Sequence, residues 1–437
     1  MVAEWPTAKI EDIAERVAMG PFGSAIKVST FVPEGIPVIS GQHLRGFKLD
    51  DSVGYNFIAE DHANRLKKAN VQRGDIIFTH AGNIGQVALV PANSKYERYV
   101  ISQRQFYLRV NPEIVLPEFL VAYFKSPIGQ HQLLANASQV GVPSISRPVT
   151  YLRSLEVPIP TLEEQRAIAA VLGALDDKIE HNRRTAQKLE ELARAIFRAW
   201  FVDFEPVKAK AAGRTSFPSM PQPVFDALPT SFTNTELGPV PEGWEVKPLN
   251  ELIEVNPPRT LKKGELAPYL AMKNMPVEGH SPNDIEMREY RSGTKFTNGD
   301  TLVARITPCL ENGKTAFVDF LQKGEVGWGS TEYIVLHPNK PIPPVFAYLL
   351  ARSKEFRSFA INSMTGTSGR QRVPYSILGH YLIVQPPSLV FSSLGEVLNP
   401  LVELANVASK ESKSLAKIRD LLLPQLISGQ MRVRGGG

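Results

Sequence analysis

A single cysteine, Cys309, in 437 residues rules out an intramolecular disulfide and any cysteine-rich metal site. Long apolar runs are missing too. None approaches the roughly 20 residues that span a bilayer, and no basic stretch precedes an apolar core at the N-terminus. A cytoplasmic protein without a membrane span is expected. Charge of either sign is moderate: the net +5 permits an anionic partner without requiring one. The 43% hydrophobic content over this length is enough for two to four domains, each with its own core.

Catalytic signatures are equally scarce. The eight histidines, among them His80, His280 and His337, include no pair at ligand spacing on one helix face, and no Gly-x-Ser-x-Gly elbow occurs. Asn256-Pro-Pro-Arg259 approaches the tetrapeptide with which amino-methyltransferases hold adenine. Arginine replaces the aromatic stacking face, however, and no glycine-rich cofactor loop follows a strand, so a Pro-Pro turn is expected. Glu311-Asn-Gly-Lys-Thr315 resembles the end of a phosphate-binding loop, but Pro308 stands where a glycine is needed and a strand follows, which predicts a hairpin loop. Glu245-Val-Lys247 has no acidic partner ahead of it. A chain without catalytic or metal-ligating groups is the expectation.

What is present is repetition. The first block, to about residue 160, carries strand-like runs at Ile36–Ile39, Gly74–Phe78, Gln86–Val90 and Gln105–Val110, then a helical pattern after Pro117. From Thr161-Leu-Glu-Glu164, a capping box, the period changes. Ile168, Leu172, Leu175, Ile179, Asn182, Ala186, Leu189, Ala193, Ile196 and Trp200 alternate three and four apart, as in a coiled-coil seam. Gly173 is a weak point in it. Prolines from Pro206 to Pro241 then predict an extended linker over 206–243. Trp244 reopens the pattern. Asn298-Gly-Asp-Thr-Leu-Val303 answers Arg73-Gly-Asp-Ile-Ile-Phe78, Asn312–Val318 answers Ile84–Val90, and Pro344–Leu350 answers the helix after Pro117. A second seam is expected through Leu394, Val397, Leu401, Leu404, Ala408, Glu411, Leu415, Ile418 and Leu422. Asn399-Pro400 predicts a break and a fresh start near residue 400.

The polar loops carry the candidate chemistry. His80-Ala-Gly-Asn-Ile-Gly-Gln86 joins two strands, with Ser102-Gln-Arg104 and Gln139–Arg147 nearby in the pattern. Arg305, Asn312, Lys314, Ser330, Thr331 and Thr365–Arg372 recur at comparable places in the second block. Arg, Asn, Gln and Ser are the side chains able to read base edges or grip phosphates.

Several strings resemble the DNA-specificity (S) subunits of type I restriction-modification systems. Pro158-Ile-Pro-Thr-Leu-Glu-Glu-Gln-Arg166 is similar to the start of the family's central helix and Ala195–Pro206 to its end. Leu237-Gly-Pro-Val-Pro-Glu-Gly-Trp244 is similar to the start of its second target-recognition domain, and Leu421-Leu-Leu-Pro-Gln-Leu-Ile-Ser-Gly429 to its C-terminal ending. Ser388-Leu-Val-Phe391 departs from the usual Glu-Glu-Gln-Arg start of the second helix. The resemblance implies an α+β chain: two mixed α/β target-recognition domains separated by two long antiparallel coiled-coil helices, with a pseudo-twofold internal repeat. The segments are 1–160, the central helix 161–205, the linker 206–243, 244–388, and the C-terminal helix 389–430.

It further implies double-stranded DNA as ligand, each domain reading half of a bipartite asymmetric site. The implied DNA contacts are Lys27, Arg45, His80, Asn83, Gln103, Arg104, Ser144 and Arg147 in the first block. In the second they are Lys273, Asn274, Arg305, Asn312, Lys314, Thr331, Arg370, Gln371 and Arg372. Two modification subunits, adenine methyltransferases, would dock on helices through Leu172, Ile179, Leu189, Trp200, Leu401, Leu415 and Leu422, and a restriction translocase-nuclease would join. No cofactor is expected on this chain. S-adenosylmethionine would sit on the methyltransferase, ATP and Mg on the restriction partner. A helix from Ile168 to Trp200 would span roughly 50 Å, enough to act as a ruler between readers. The rival expectation is a duplicated coiled-coil scaffold that binds proteins or glycans without reading DNA.

Overall fold

The computed structural model describes residues 5–138, 141–367 and 369–433; Gln139, Val140 and Ser368, in two of the polar loops above, lie outside the described residues. The chain divides into two units, Met1–His181 with Glu411–Gly437, and Asn182–Lys410.

In the first unit, Ala14–Met19, Gln105–Val110, Ile76–Thr79 and Val87–Leu89 form an antiparallel sheet in that order. Its side chains alternate with period two between separate cores. Ile76, Phe78, Phe106 and Leu108 face the helix Pro117–Lys125 and the long helices. Ile77, Ala88 and Tyr107 face a five-stranded sheet ordered Phe31–Val32, Asn56–Ile58, Ile36–Ile39, Arg98–Ile101, Asn70–Gln72. There Ile36–Ile39 and Arg98–Ile101 run parallel. Burial on both faces explains why these strands read as unbroken apolar runs.

The second unit repeats this wiring. Ile253–Val255, Tyr333–Pro338, Thr301–Ala304 and Thr315–Phe317 form the equivalent antiparallel sheet. Val303, Ile334 and Leu336 face one core, and Leu302, Ala304 and Val335 the other. The companion sheet has Glu286–Glu289, Leu266–Leu270, Gly327–Gly329 and Thr294–Phe296, again with one parallel pair, Leu266–Leu270 with Gly327–Gly329. Pro117 and Pro344 both open helices, which end where Ser126 and Ser353 cap the next ones by accepting from Gly129 N and Phe356 N. In the two Gly-Asp turns the buried carboxylates are held alike. Asp75 takes two bonds from Arg109, at 2.7 and 2.8 Å, and one from the Gln72 amide. Asp300 takes Arg259, His337 and the Thr297 amide.

The first long helix, Leu162–Phe201, is uninterrupted at Gly173, and the Thr161–Glu164 box forms as expected. Every position of its expected seam is buried or half-buried, Asn182 included. The second long helix, Ser388–Ile427, departs from expectation twice. It starts at Ser388 and runs straight through Asn399-Pro400, so the break near 400 does not occur. Pro400 is exposed on the helix, where its missing amide and ring fall on the solvent side. Its seam is also displaced. Leu404 and Ile418 are 56% and 46% exposed and Glu411 is exposed, whereas Leu398, Ala405, Leu423 and Leu426 are buried. Beyond Leu401 the expected seam holds at Ala408, Leu415 and Leu422, which are buried or half-buried, and fails at Leu404, Glu411 and Ile418, because a helix with apolar residues on two stripes has no unique period in sequence.

Within the first unit the helices meet through Asp176–Arg419 at 2.9 Å, Lys178–Glu411 at 3.4 Å and Ser412 Oγ donating to Ile179 O. One partner number rises as the other falls, so the pair is antiparallel. Within the second unit Ile196, Phe197, Trp200 and Phe201 share one core with Phe391, Leu394 and Leu398, and the rings of Phe201 and Phe391 stack. Among the described residues no helix is long and apolar enough to cross a membrane.

The segment 206–243 is not an extended linker. It forms helices Glu205–Ala211 and Gln222–Ala227 and a hairpin, Phe232–Thr235 with Gly238–Pro241. Pro206 and Pro223 stand in first helical turns, where a missing amide costs nothing. Val207, Val224, Phe225, Leu228 and Val240 join the second unit's core. Phe225 is 1% exposed, so Phe225→Ala should lower unfolding free energy by about 3–5 kcal/mol in denaturant titration; an unchanged midpoint would restore the linker reading.

Candidate nucleic-acid interface

With both sheet faces covered, polar side chains can gather only where strands end. In the first unit four loops converge there. The His80 amide donates to Arg104 O at 2.9 Å, Ile145 N donates to His80 O at 2.8 Å, and Gly82 N donates to Pro143 O at 2.9 Å. Thr79 Oγ1 donates to Gln86 Oε1, and Gln86 Nε2 reaches Gly41 O at 2.9 Å, tying in the turn Gly41–His43. The structure thus brings together His80, Asn83, Gln103, Arg104 and Ser144. Arg147, left-handed at φ 45°, starts the helix that follows. Asn83, Gln103, Arg104 and Arg147 are exposed. Lys27 bonds within its own turn, to Thr30, and Arg45 is exposed beyond the 41–43 turn; neither is bonded to the cluster among the described residues.

The second unit reproduces the backbone bonds of this scaffold. Arg305 N donates to Glu332 O at 3.0 Å, Val373 N to Arg305 O at 2.9 Å, and Thr307 N to Gln371 O at 3.0 Å. Lys314 Nζ reaches Met272 O at 2.7 Å, as Gln86 reaches Gly41, and so ties in the turn Met272–Asn274 that carries Lys273 and Asn274. Arg305 therefore occupies the place of His80, Glu332 that of Arg104, and Arg372 that of Ser144. Asn312, Thr331 and Arg370 are exposed at the rim. The turn at 311–314 lies between antiparallel strands, as a hairpin should. Asn256 is left-handed at φ 55° and its Oδ1 accepts from Val335 N, and Arg259 is bound to Asp300, so Asn256-Pro-Pro-Arg259 is a structural turn.

Sequence reasoning names Lys314 but misses two features, the bracing role of Gln86 and the presence of Glu332. Gln86 and Lys314 serve as braces between loops rather than as free readers. Glu332 holds Arg372 through three bonds of 2.7 to 3.0 Å, which neutralises an arginine counted as a free contact. Forty residues separate the pair, and nothing local marks it. Of the seven helix positions expected to receive partners, Leu172 and Trp200 are buried and Ile179, Leu189, Leu401, Leu415 and Leu422 half-buried; Leu172 and Leu422 pack in the core of the first unit and Trp200 and Leu401 in that of the second.

Residues 3–191 match the family described as the Type I restriction modification DNA specificity domain. The MjaIX specificity subunit of Methanocaldococcus jannaschii is 25% identical over 98% of this chain and 94% of its own. The first part of the chain thus matches the type I DNA specificity domain, and the relatives matched along nearly the whole chain are type I specificity subunits. The HindI specificity subunit of Haemophilus influenzae is 24% identical, covering 85% of this chain and 89% of its own. In fold, the S subunit of a type I restriction-modification system from M. genitalium superimposes over 97% of this chain and 96% of its own, with a TM-score of 0.58 at 17% identity. For a specificity subunit, unlike side chains on two like loop scaffolds are the feature that matters.

His80 sits at the centre of the first scaffold. Its Nε2 lies 3.1 Å from Gln103 O, and a carbonyl can only accept, so Nε2 carries the proton. Burial holds this imidazole below the ordinary 6.5. As pH falls, the unfolded chain therefore protonates first. The stability contributed by neutral His80 is present above 6.5 and is lost as pH falls toward the folded value. His80→Gln, which can still donate to Gln103 O, should flatten the fall in thermal midpoint between about pH 7 and 5. A fall as steep as in the unmodified protein would contradict this.

Proposed function

We propose that the chain is the sequence-reading, non-catalytic subunit of a type I restriction-modification complex, each unit reading one half of a bipartite asymmetric DNA site. The observation that carries this is the matched loop scaffold. The same backbone bonds present His80, Arg104 and Ser144 in one unit and Arg305, Glu332 and Arg372 in the other. Conserved framework with exchanged chemistry suits two unlike half-sites. Modification subunits that bind S-adenosylmethionine and methylate adenine supply the reaction, in two copies; a restriction subunit supplies ATP- and Mg-dependent translocation and cleavage. Since the inner seam is filled, the surface left for the modification subunits is the outer stripe of the second long helix. Leu404, Val407, Ile418 and Leu421, at heptad spacing, are each 46% to 67% exposed.

Two helices of 40 residues, about 60 Å each by rise per residue, set the separation of the half-sites in this reading. Four residues inserted after Leu189, matched by four after Val402 on the antiparallel helix, should lengthen the unread gap by about two base pairs while leaving both halves unchanged. Mapped methylation sites with an unaltered gap would overturn the ruler.

Arg104→Ala and Arg370→Ala test the readers. Each should weaken binding by roughly 1–3 kcal/mol and relax one half of the methylated motif, a different half for each variant. Relaxation of the same half by both, or uniform weakening, would contradict separate base readout.

A further inference from the structure

Beside the first reading scaffold lies a cleft of about 820 Å³. Its floor is apolar, including Val17, Met19 and Leu66, and its walls carry Arg16, Arg65, Lys67, Lys68 and Arg153 with no acidic residue among the lining side chains. All five cations are exposed, and none is in an ion pair among the described residues. Arg16 Nη2 donates to Lys67 O and so links two walls. The cleft is continuous with the loop cluster at two places. Gly20, at its edge, donates its amide to Gln105 O next to the 102–104 loop, and Arg153 stands on the helix Pro148–Ser154 that starts at Arg147.

The second unit does not repeat this charge. Arg16 pairs across the ladder with Arg109, and Glu254 pairs with His337; Arg109 and His337 hold the equivalent Asp75 and Asp300, so Glu254 stands where Arg16 does. The amides of Gln72 and Thr297 both donate to those carboxylates. Between the strands Asn56–Ile58 and Asn70–Gln72 the first unit has eleven residues, including the helix Glu60–Arg65 and the cations Arg65, Lys67 and Lys68; between the equivalent strands of the second unit, Glu286–Glu289 and Thr294–Phe296, stand four residues with one cation, Arg291. Leu155 O and Tyr381 O accept from Ile10 N and Leu249 N, which sets Gly379 against Arg153. Against five cations the second unit sets one, Arg291, with Glu254 in the place of Arg16 and Gly379 in that of Arg153.

We infer that this cleft grips DNA phosphates flanking the half-site read by the first unit, so that this unit carries the larger share of salt-dependent affinity. The inference rests on the proposed reading of DNA by both units and adds that they do not hold it equally. A run of unpaired cations continuous with reading loops fits a polyanionic backbone. Contacts of this kind position the protein without selecting sequence, and each phosphate neutralised steepens the dependence of affinity on salt.

The test uses the full-length chain and fluorescent duplex DNA of unrelated sequence, titrated over a range of salt. The cleft variant is Lys67→Gln, Lys68→Gln and Arg153→Gln. The control is Lys262→Gln, Lys263→Gln and Lys323→Gln, exposed lysines of the second unit. The slope of log affinity against log salt should fall by about 2.7 in the cleft variant, at about 0.9 per phosphate, and by less than about 1 in the control. All six positions are exposed, and unchanged thermal midpoints will confirm intact folding. An unchanged slope in the cleft variant overturns the inference, including the case in which co-purification of the modification subunit drops instead, which would mark an acidic protein surface as the occupant. An equal fall in the control overturns it too. If the unmodified chain shows no salt-dependent binding to any duplex, the underlying DNA-reading proposal fails instead, and the inference with it.

Discussion

A sheet buried on both faces can meet a ligand only at its ends. In each unit the central antiparallel sheet lies between two apolar cores, Ile76 and Phe78 on one side and Ile77 on the other, Val303 on one side and Leu302 on the other. Interior burial of that kind fixes strand register, because a one-residue slip would exchange the two cores. Register in turn fixes which loops emerge together. The convergence of loops far apart in sequence, such as 80–86 with 143–145 or 305–307 with 371–373, follows from the ladder and needs no binding partner to impose it.

The duplication separates what is structural from what is free to vary. Gly-Asp turns with buried Asp75 and Asp300, proline-started helices and serine caps are kept, because each satisfies a backbone or burial requirement common to both units. Side chains on the loop rims answer to no such requirement. There arginine, glutamate, histidine and serine exchange places over unchanged backbone bonds. The same contrast extends to the cleft beside the first scaffold, where Glu254 and Gly379 stand for Arg16 and Arg153 and a shorter turn with one cation, Arg291, replaces the segment carrying Arg65, Lys67 and Lys68. Like frames carrying unlike surfaces are what an asymmetric ligand calls for.

Much of this was legible in the sequence. The central strands showed as apolar runs between turn residues, and the first helix seam read correctly at every position because one stripe alone was apolar. Three features were not legible, for distinct reasons. Prolines at 206–241 predict broken helix, yet Pro206 and Pro223 occupy first turns where they are tolerated, and Phe225 and Val224 are buried in the core. Asn399-Pro400 predicts a restart, although Pro400 is exposed on a helix held by packing of Leu394 and Leu398 on one side. The second seam drifted because Leu404, Val407, Ile418 and Leu421 make a second apolar stripe that periodicity cannot rank against the buried one. At the loops, residue types point to segments that the structure brings together, but which side chains are braces depends on long-range pairs, Gln86 with Gly41, Lys314 with Met272 and Arg372 with Glu332.

The central claim is that two like frames read two unlike half-sites. The most direct measurement is a genome-wide map of methylated adenines in cells that express the chain together with its modification subunit. The account predicts one asymmetric motif with two different specified halves and a fixed unread gap. A palindromic motif, a single uninterrupted one, or no motif that depends on this chain would contradict it.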